Sequence, residues 1–418
     1  DGPMPRSDAS HTVDGRPVYY LVAPAGFPNY GDDLIAAGWL RHLAEVAPEA
    51  TVWVDSHSPG PAQVLLGDEH PRVRFTDTLW RLCWEAPADD QWQTAAWVQD
   101  AMHDPGLAAR WHHGIELLAA ADVVHLLGGG YVNRIWPRHI GLLAGAVAAV
   151  RRSGGRAAMT GHGLLPAEDD IPPLLRSLVD HFEVVDVRDN PSAELLGIAP
   201  GVDDAFLALG PEAFITPEQA WPDQEPPEVM LCLQSDLVDV GAGRIAGAAL
   251  SILRAWGVRP ERVGVVEGIP RVDRDIYALI ERELPGARFY PFADVWDKGL
   301  PVSPSQTWIS TRFHMHLAAA SVGAAGIALS IKPDYYATKH RSLIELGSGW
   351  TLLEHLDQVP ARPTGNGFGA DTVAAFRQSK LELAKAIYAP IVRPEPPRPD
   401  ADTEHAPAPR RRWGLRRA

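Results

Sequence analysis

The sequence predicts an α/β protein built from two similar domains, each with a parallel sheet, and three observations predict it. The chain has 418 residues, more than one hydrophobic core usually supports. Short apolar runs alternate with helical patterns, the rhythm of βαβ units. A Pro-rich, acidic stretch, "WPDQEPPE" at 221–228, interrupts that rhythm, which then restarts.

The elements follow in order. Strands are expected at "PVYYLVA" (17–23), "TVWVD" (51–55), "DVVHLLG" (122–128), "RAAMTG" (156–161) and "EVVDVR" (183–188). Beyond the linker come "VMLCLQ" (229–234), "RVGVVEG" (262–268), "ARFYPF" (287–292), "TWIS" (307–310) and "AGIALSI" (325–331). Leu34, Ile35, Gly38, Trp39, Leu43 and Val46 keep helical spacing, with Asp32 placed as the N-cap, so "NYGDDLI" is a strand-to-helix loop. The expected partition is 17–220 for the first domain and 228–392 for the second. From 393 the chain turns Pro-rich and ends "RRRWGLRRA", a composition that buries too little apolar surface to fold and reads as a disordered tail.

Composition excludes several classes. A formal charge of −15 argues against a general nucleic-acid binder, whose affinity comes from clustered Lys and Arg. Any anion must then be held by a local basic pocket. Two cysteines, Cys83 and Cys232, build neither a disulfide framework nor a thiolate zinc site, and fit a reducing cytoplasm. No metal site is expected, because no His and carboxylate cluster has ligand spacing. The apolar stretches at 141–150 and 317–331 are too short to span a bilayer, and the amino terminus lacks a signal-peptide pattern. The tail arginines Arg410, Arg411, Arg412, Arg416 and Arg417 surround Trp413 and Leu415, suited either to weak contact with an anionic membrane surface or to solubility alone.

Ligands in doubly wound sheets lie outside the carboxyl ends of strands, so four loops matter. "FPNYGDD" offers Asn29, Gly31, Asp32 and Asp33; capping explains one carboxylate, and accepting a proton from a polyol is the functional alternative. "LLGGGYVN" brings Gly128, Gly129 and Gly130 after a strand, for close backbone approach to a ligand or for a tight turn. "TGHGLLP" carries His162 between two glycines, read either as aimed into open space or as a surface loop residue. "DVRDNPS" carries Arg188, for which pairing with Asp189 is an adequate structural explanation.

The fourth signal breaks a local rule. "STRFHMHLAAAS" (310–321) opens a helix with Arg312, His314 and His316, although cations at a helix amino end cost a few tenths to about 1 kcal/mol each. With Arg188, this cluster suits a small dense anion held by bidentate arginine and a helix end. The structural alternative pairs Arg312 with a carboxylate of the other domain. The tryptophans Trp80, Trp84, Trp92, Trp97, Trp111 and Trp136 are read as core or packing residues.

Taken in order, "NYGDDLI", "LLGGG", "TGHGLLP", "VVDVRDNPSAELLG", "VDDAFLAL" and "STRFHMHLAAASVGAAGIALSIKPDYYATKHRSLIELG" resemble the polysaccharide pyruvyl transferase family, over about residues 18 to 350. The resemblance implies two Rossmann-like domains in a GT-B-like arrangement. It implies transfer of a pyruvyl group from phosphoenolpyruvate to a sugar of a cell-surface polysaccharide or glycolipid precursor, as a ketal, with release of phosphate. By motif, Arg188, Arg312, His314 and Lys339 would hold the donor, with Ser310 beside them and Asp32 and Asp33 on the cleft's other wall. Because an imidazole can give and recover a proton, His314 is expected as the proton donor, with Asp32 or Asp33 taking the hydroxyl proton. Asn29, Gly31, Gly128, Gly129, Gly130 and His162 would either face the acceptor, lipid-linked or not, or serve only as loop residues. No cofactor is implied, the donor being a substrate, and the expected location is the cytoplasm or the inner membrane face. Pro28 and His162 depart from the family pattern, where Gly and Gln are usual. Two rival readings are a nucleotide-sugar glycosyltransferase or epimerase on the same frame, and a non-catalytic sugar-phosphate binder.

Overall fold

A computed structural model describes residues 15–87, 89–236, 240–330 and 337–391; the tail from 393 and its arginines lie outside them. The first domain is a six-stranded parallel sheet of β1 (Val18–Val22), β2 (Thr51–Asp55), β3 (Val73–Thr76), β4 (Val123–Leu126), β5 (Arg156–His162) and β6 (Val184–Val187). Its order is β3-β2-β1-β4-β5-β6. All five residues of β1 and all four of β4 are buried, as central strands covered by helices on both faces require.

A two-residue strand, β7 (Phe214–Ile215), precedes the second domain. That domain holds β8 (Val229–Cys232), β9 (Val263–Val266), β10 (Arg288–Tyr290), β12 (Thr307–Ser310), β13 (Ala325–Leu329) and β14 (Thr351–Leu353). Their order, β10-β9-β8-β12-β13-β14, repeats the first sheet, while β11 (Leu300–Pro301) pairs with β7. Each sheet reverses its winding between its first and fourth strands, so the ligand crevices are predicted beside β1 and β4 and beside β8 and β12.

Two strands lie outside the runs read from the sequence. In β3, "VRFT" is only partly buried or exposed, and β14 is the three-residue "TLL" with its first residue exposed. Both are edge strands, paired on one side only, so neither needs the continuous apolar run that marks a central strand. Separate apolar cores support the sheets: one around Leu79, Val98, Leu143 and Val147, the other around Leu231, Ile252, Ile309 and Ile327.

The helix Ala370–Ile387, numbered within the second domain's expected span, packs against the first domain. Its Lys380 is fully buried, with Nζ 2.6 Å from Asp186 Oδ2 and 2.9 Å from Asp204 Oδ1. Phe376 meets Phe206 with ring centroids 4.8 Å apart. A buried lysine is tolerated because two carboxylates surround it, which fixes where this helix docks.

Candidate functional site

Both crevices open into one cavity of about 680 Å³, walled by residues of the two domains. The first wall begins after β1. Asn29, in extended conformation, accepts hydrogen bonds from Gly31 N (3.0 Å) and Asp32 N (3.4 Å), so Asn29 caps the helix Tyr30–Val46. Asp32, read above as the cap, is freed to line the cavity. Asp33 does not line it: its oxygens accept from Gly26 N (2.7 Å) and Asn29 N (2.9 Å), and the residue is fully buried. Burial pushes its carboxyl up to about 7 despite those two donors. Successive helical residues diverge by about 100°, so one of two neighbouring aspartates faces the cavity and the other pins the loop.

Of the three glycines after β4, Gly130 alone lines the cavity. Gly128 N donates to Asp204 Oδ2 (2.8 Å) and Gly129 N to Gly161 O (3.3 Å), so both N–H groups are taken by protein. A side-chain carbon on Gly128 would fall 2.8 Å from the Asp204 carboxylate, so the run serves packing more than ligand approach. His162 corrects both sequence readings, since it is neither surface nor cavity but fully buried. The register of β5 against β6 shifts between Met159 and His162, and Gly161 adopts φ 59°, turning the imidazole inward beneath Tyr131. Burial pushes His162 down to about 4.

Arg188 follows β6 and pairs not with its neighbour but with Asp203, Nη1 to Oδ2 2.9 Å. Asp189 instead caps the next helix through Ser192 N (2.8 Å). The Arg188 guanidinium also lies 4.5 Å from the centre of the Phe313 ring, across the domain boundary. Gly163 makes room, because a side-chain carbon there would sit 2.8 Å from Arg188 Nε.

The second wall begins after β12. Ser310 Oγ accepts from Arg312 N (2.9 Å) and donates to Arg312 O (3.0 Å), shaping the turn without lining the cavity. Arg312 lines it, held by carboxylates of its own domain: Nη2 lies 2.5 Å from Asp273 Oδ1 and 3.0 Å from Asp236 Oδ1. The helix Phe313–Ser321 has no side-chain cap, so the positive end of its dipole faces the cavity through Phe313, His314 and Met315. His314 Nε2 lies 3.1 Å from Asp203 Oδ1. A side-chain carbon on Gly31 would sit 2.0 Å from His314 Nδ1, so only glycine lets the two domains close here. His316 turns into the core, against His340 (3.0 Å), Ser348 (2.8 Å) and the Trp350 ring.

Lys339 completes this wall, its ammonium pushed well below the usual lysine range by burial and by Arg188, with Asp32 and Asp203 opposing. Asp32 is raised by burial, an effect His314, Lys339 and Arg188 partly relieve. Burial would raise Asp203 too, but His314 and Arg188 hold it below the usual carboxylate range. Asp203 therefore joins Arg188 of the first domain and His314 of the second on one carboxylate. Although it stands inside the quoted "VDDAFLAL", no spacing or composition separates it from Asp204, which is buried against Trp39, Thr160 and Lys380. Trp80, Trp84 and Trp136 also line the cavity, a role the packing interpretation passes over.

Fold and site together define a two-domain, GT-B-like α/β protein whose interdomain cavity gathers cations around an uncapped helix end. The chain belongs to the polysaccharide pyruvyl transferase family, whose model matches residues 29–333. Comparison with curated proteins gives no match. Among solved structures, the UDP-GlcNAc 2-epimerase from Neisseria meningitidis bound to UDP-GlcNAc is 12% identical, with a TM-score of 0.48 over 89% of this chain and 93% of that one. A glycosyltransferase from Rickettsia africae is 14% identical, with a TM-score of 0.45 over 89% and 91%. Both are too distant to bear on substrate. Among the described residues no group of three or more His, Cys, Asp or Glu could hold a metal, and no helix is long and apolar enough to cross a membrane.

Proposed function

We propose that the protein transfers a pyruvyl group from phosphoenolpyruvate to a sugar hydroxyl pair, forming a cyclic ketal and releasing phosphate. The observation that carries this reading is the uncapped helix end at Phe313, ringed in one cavity by Arg188, Arg312, His314 and Lys339. Phosphoenolpyruvate puts a carboxylate and a phosphate on three carbons, and such a ligand needs several donors converging in a partly dry cleft. Each arginine is already oriented by a buried carboxylate, so little ordering remains to be done on binding.

In the proposed reaction His314, steadied by Asp203, protonates the methylene carbon of the donor. Asp32 takes the proton of the first sugar hydroxyl as its oxygen attacks C2. Phosphate leaves with its bonding electron pair, and the second hydroxyl closes on C2, giving up its proton. Of the two protons lost by the sugar, one balances that added to carbon and the other leaves on phosphate. Asp33, held by two backbone N–H groups, is not assigned as base. The acceptor belongs to an envelope polysaccharide or glycolipid precursor, and a cytoplasmic site of action fits a donor drawn from central metabolism.

Calorimetric titration of the protein and of Arg312→Ala with phosphoenolpyruvate, UDP-N-acetylglucosamine and inorganic phosphate tests the donor. Selective phosphoenolpyruvate binding that the variant loses supports the proposal. Binding of the nucleotide sugar alone would replace it with glycosyl transfer, and binding without phosphate release in the presence of acceptor sugars would reduce it to a sensor.

A further inference from the structure

The cavity has a second kind of wall. Beyond Arg188, Arg312 and Lys339 it carries the rings of Phe27, His57, Trp80, Trp84, Trp136 and His139, all from the first domain. Two of these rings are unusual for their exposure, Trp84 at 56% and Phe27 at 58%. An exposed tryptophan is normally mobile, but Trp84 is backed by the Arg138 guanidinium, 5.7 Å from its ring centre. Arg138 is itself fixed by Asp89 (2.6 Å) and by the carbonyls of Cys83 (3.2 Å), Trp84 (3.2 Å) and Ala86 (2.6 Å). The indole is thus presented as a rigid plate at the cavity edge.

His139 stands among the tryptophans, edge-on to Trp80 (4.9 Å) and Trp84 (6.4 Å) and stacked with Trp136 (6.1 Å). Its Nδ1 lies 2.6 Å from the carbonyl of Tyr131, which can only accept, so Nδ1 carries the proton and Nε2 is left as an acceptor. Burial lowers the imidazole to about 4, which keeps it neutral and keeps that acceptor available at neutral pH. Arg81 also lines this end, where it pairs with Asp77 (2.9 Å), so the wall combines fixed aromatic planes, the neutral His139 acceptor and one ion-paired guanidinium. It suits a ring with an apolar C–H face and hydroxyl donors at its edge.

We propose that this aromatic end is the subsite for the acceptor sugar, with Trp84 stacking on the apolar face of a pyranose and His139 Nε2 accepting a hydrogen bond from one of its hydroxyls. The inference deepens the pyruvyl-transfer reading, on which it rests for the identity of the partner at the cationic end. It makes the acceptor's ring geometry a basis of selection.

The test is saturation-transfer NMR with methyl β-D-galactopyranoside, methyl β-D-glucopyranoside and methyl α-D-mannopyranoside, on the full chain and on Trp84→Ala, Trp84→Phe and His139→Gln, each checked for an unchanged melting temperature. At least one glycoside is expected to bind through its ring C–H protons, with affinity down 10-fold or more in Trp84→Ala and largely kept in Trp84→Phe. His139→Gln, whose amide oxygen can still accept, should lose less than Trp84→Ala. Equal affinity in wild type and Trp84→Ala overturns the subsite, as does no binding of any glycoside at millimolar concentration. Calorimetry with phosphoenolpyruvate separates the two readings: Trp84-dependent glycoside binding without phosphoenolpyruvate binding keeps the sugar subsite and defeats the donor assignment.

Discussion

Two helix ends meet in this cavity, one from each domain, and they are finished in opposite ways. The helix Tyr30–Val46 is capped by Asn29 and carries Asp32 and Asp33 in its first turn, as its dipole favours. The helix Phe313–Ser321 follows a strand in a sheet of identical order, yet it has no cap and places Arg312 and His314 at its positive end. The first end is satisfied by a side-chain cap, whereas the second has none. One strand order serves both because topology sets where loops converge, while the residues there set what they bind.

The largest effect should come from the point where the two ends touch. His314→Ala is expected to lower kcat for phosphate release by about 10²–10⁴-fold, the range of general acid–base catalysis. Phosphoenolpyruvate affinity should change far less, and a variant with full turnover would remove His314 from the proton-transfer role.

Next is the buried lysine that ties the last helix to the first domain. Lys380→Met leaves Asp186 and Asp204 buried without their cation, so a loss of about 3–5 kcal/mol is expected in urea denaturation. Lys298→Met, removing an exposed ion pair at 3.6 Å, should lose less than about 1 kcal/mol. If the two variants were alike, the last helix would not be anchored through Lys380.

The caps separate the two ends more gently. Asn29→Ala should cost about 0.5–2 kcal/mol, as loss of an N-cap does. Ser310→Ala should instead disturb the Arg312 turn, and appear as weaker phosphoenolpyruvate binding before any loss of stability.

A pH profile gives the finest comparison. Asp32 is raised by burial, so a base at this position protonates above the ordinary carboxylate range as pH falls. Lys339 is depressed by burial, so its charge disappears below the ordinary lysine range as pH rises. The two limbs of kcat/KM should therefore lie closer together than free side chains would place them. Asp32→Asn should abolish the acidic limb, and Lys339→Met should weaken phosphoenolpyruvate binding most below the pH at which the wild-type lysine loses its charge.

The α/β class, ten of the twelve strands in the two six-stranded sheets and the family are legible in the chain's residues, because buried parallel strands and ordered motifs leave continuous local signals. The sequence also exposed the strain at "STRFHMH", where cations meet a helix end, since that conflict is local. It could not separate Asp32 from Asp33, because which of two neighbours faces the cavity depends on which N–H groups the folded loop aims at them. Nor could it assign Asp203, His162 or Trp84. Asp203 pairs with Arg188 and His314, 15 and 111 positions away. A bulge after Met159 buries His162, and the fold brings Arg138 to 5.7 Å from the centre of the Trp84 ring. Side-chain roles in this cavity are set by partners distant in sequence, and only the tertiary structure brings those partners together.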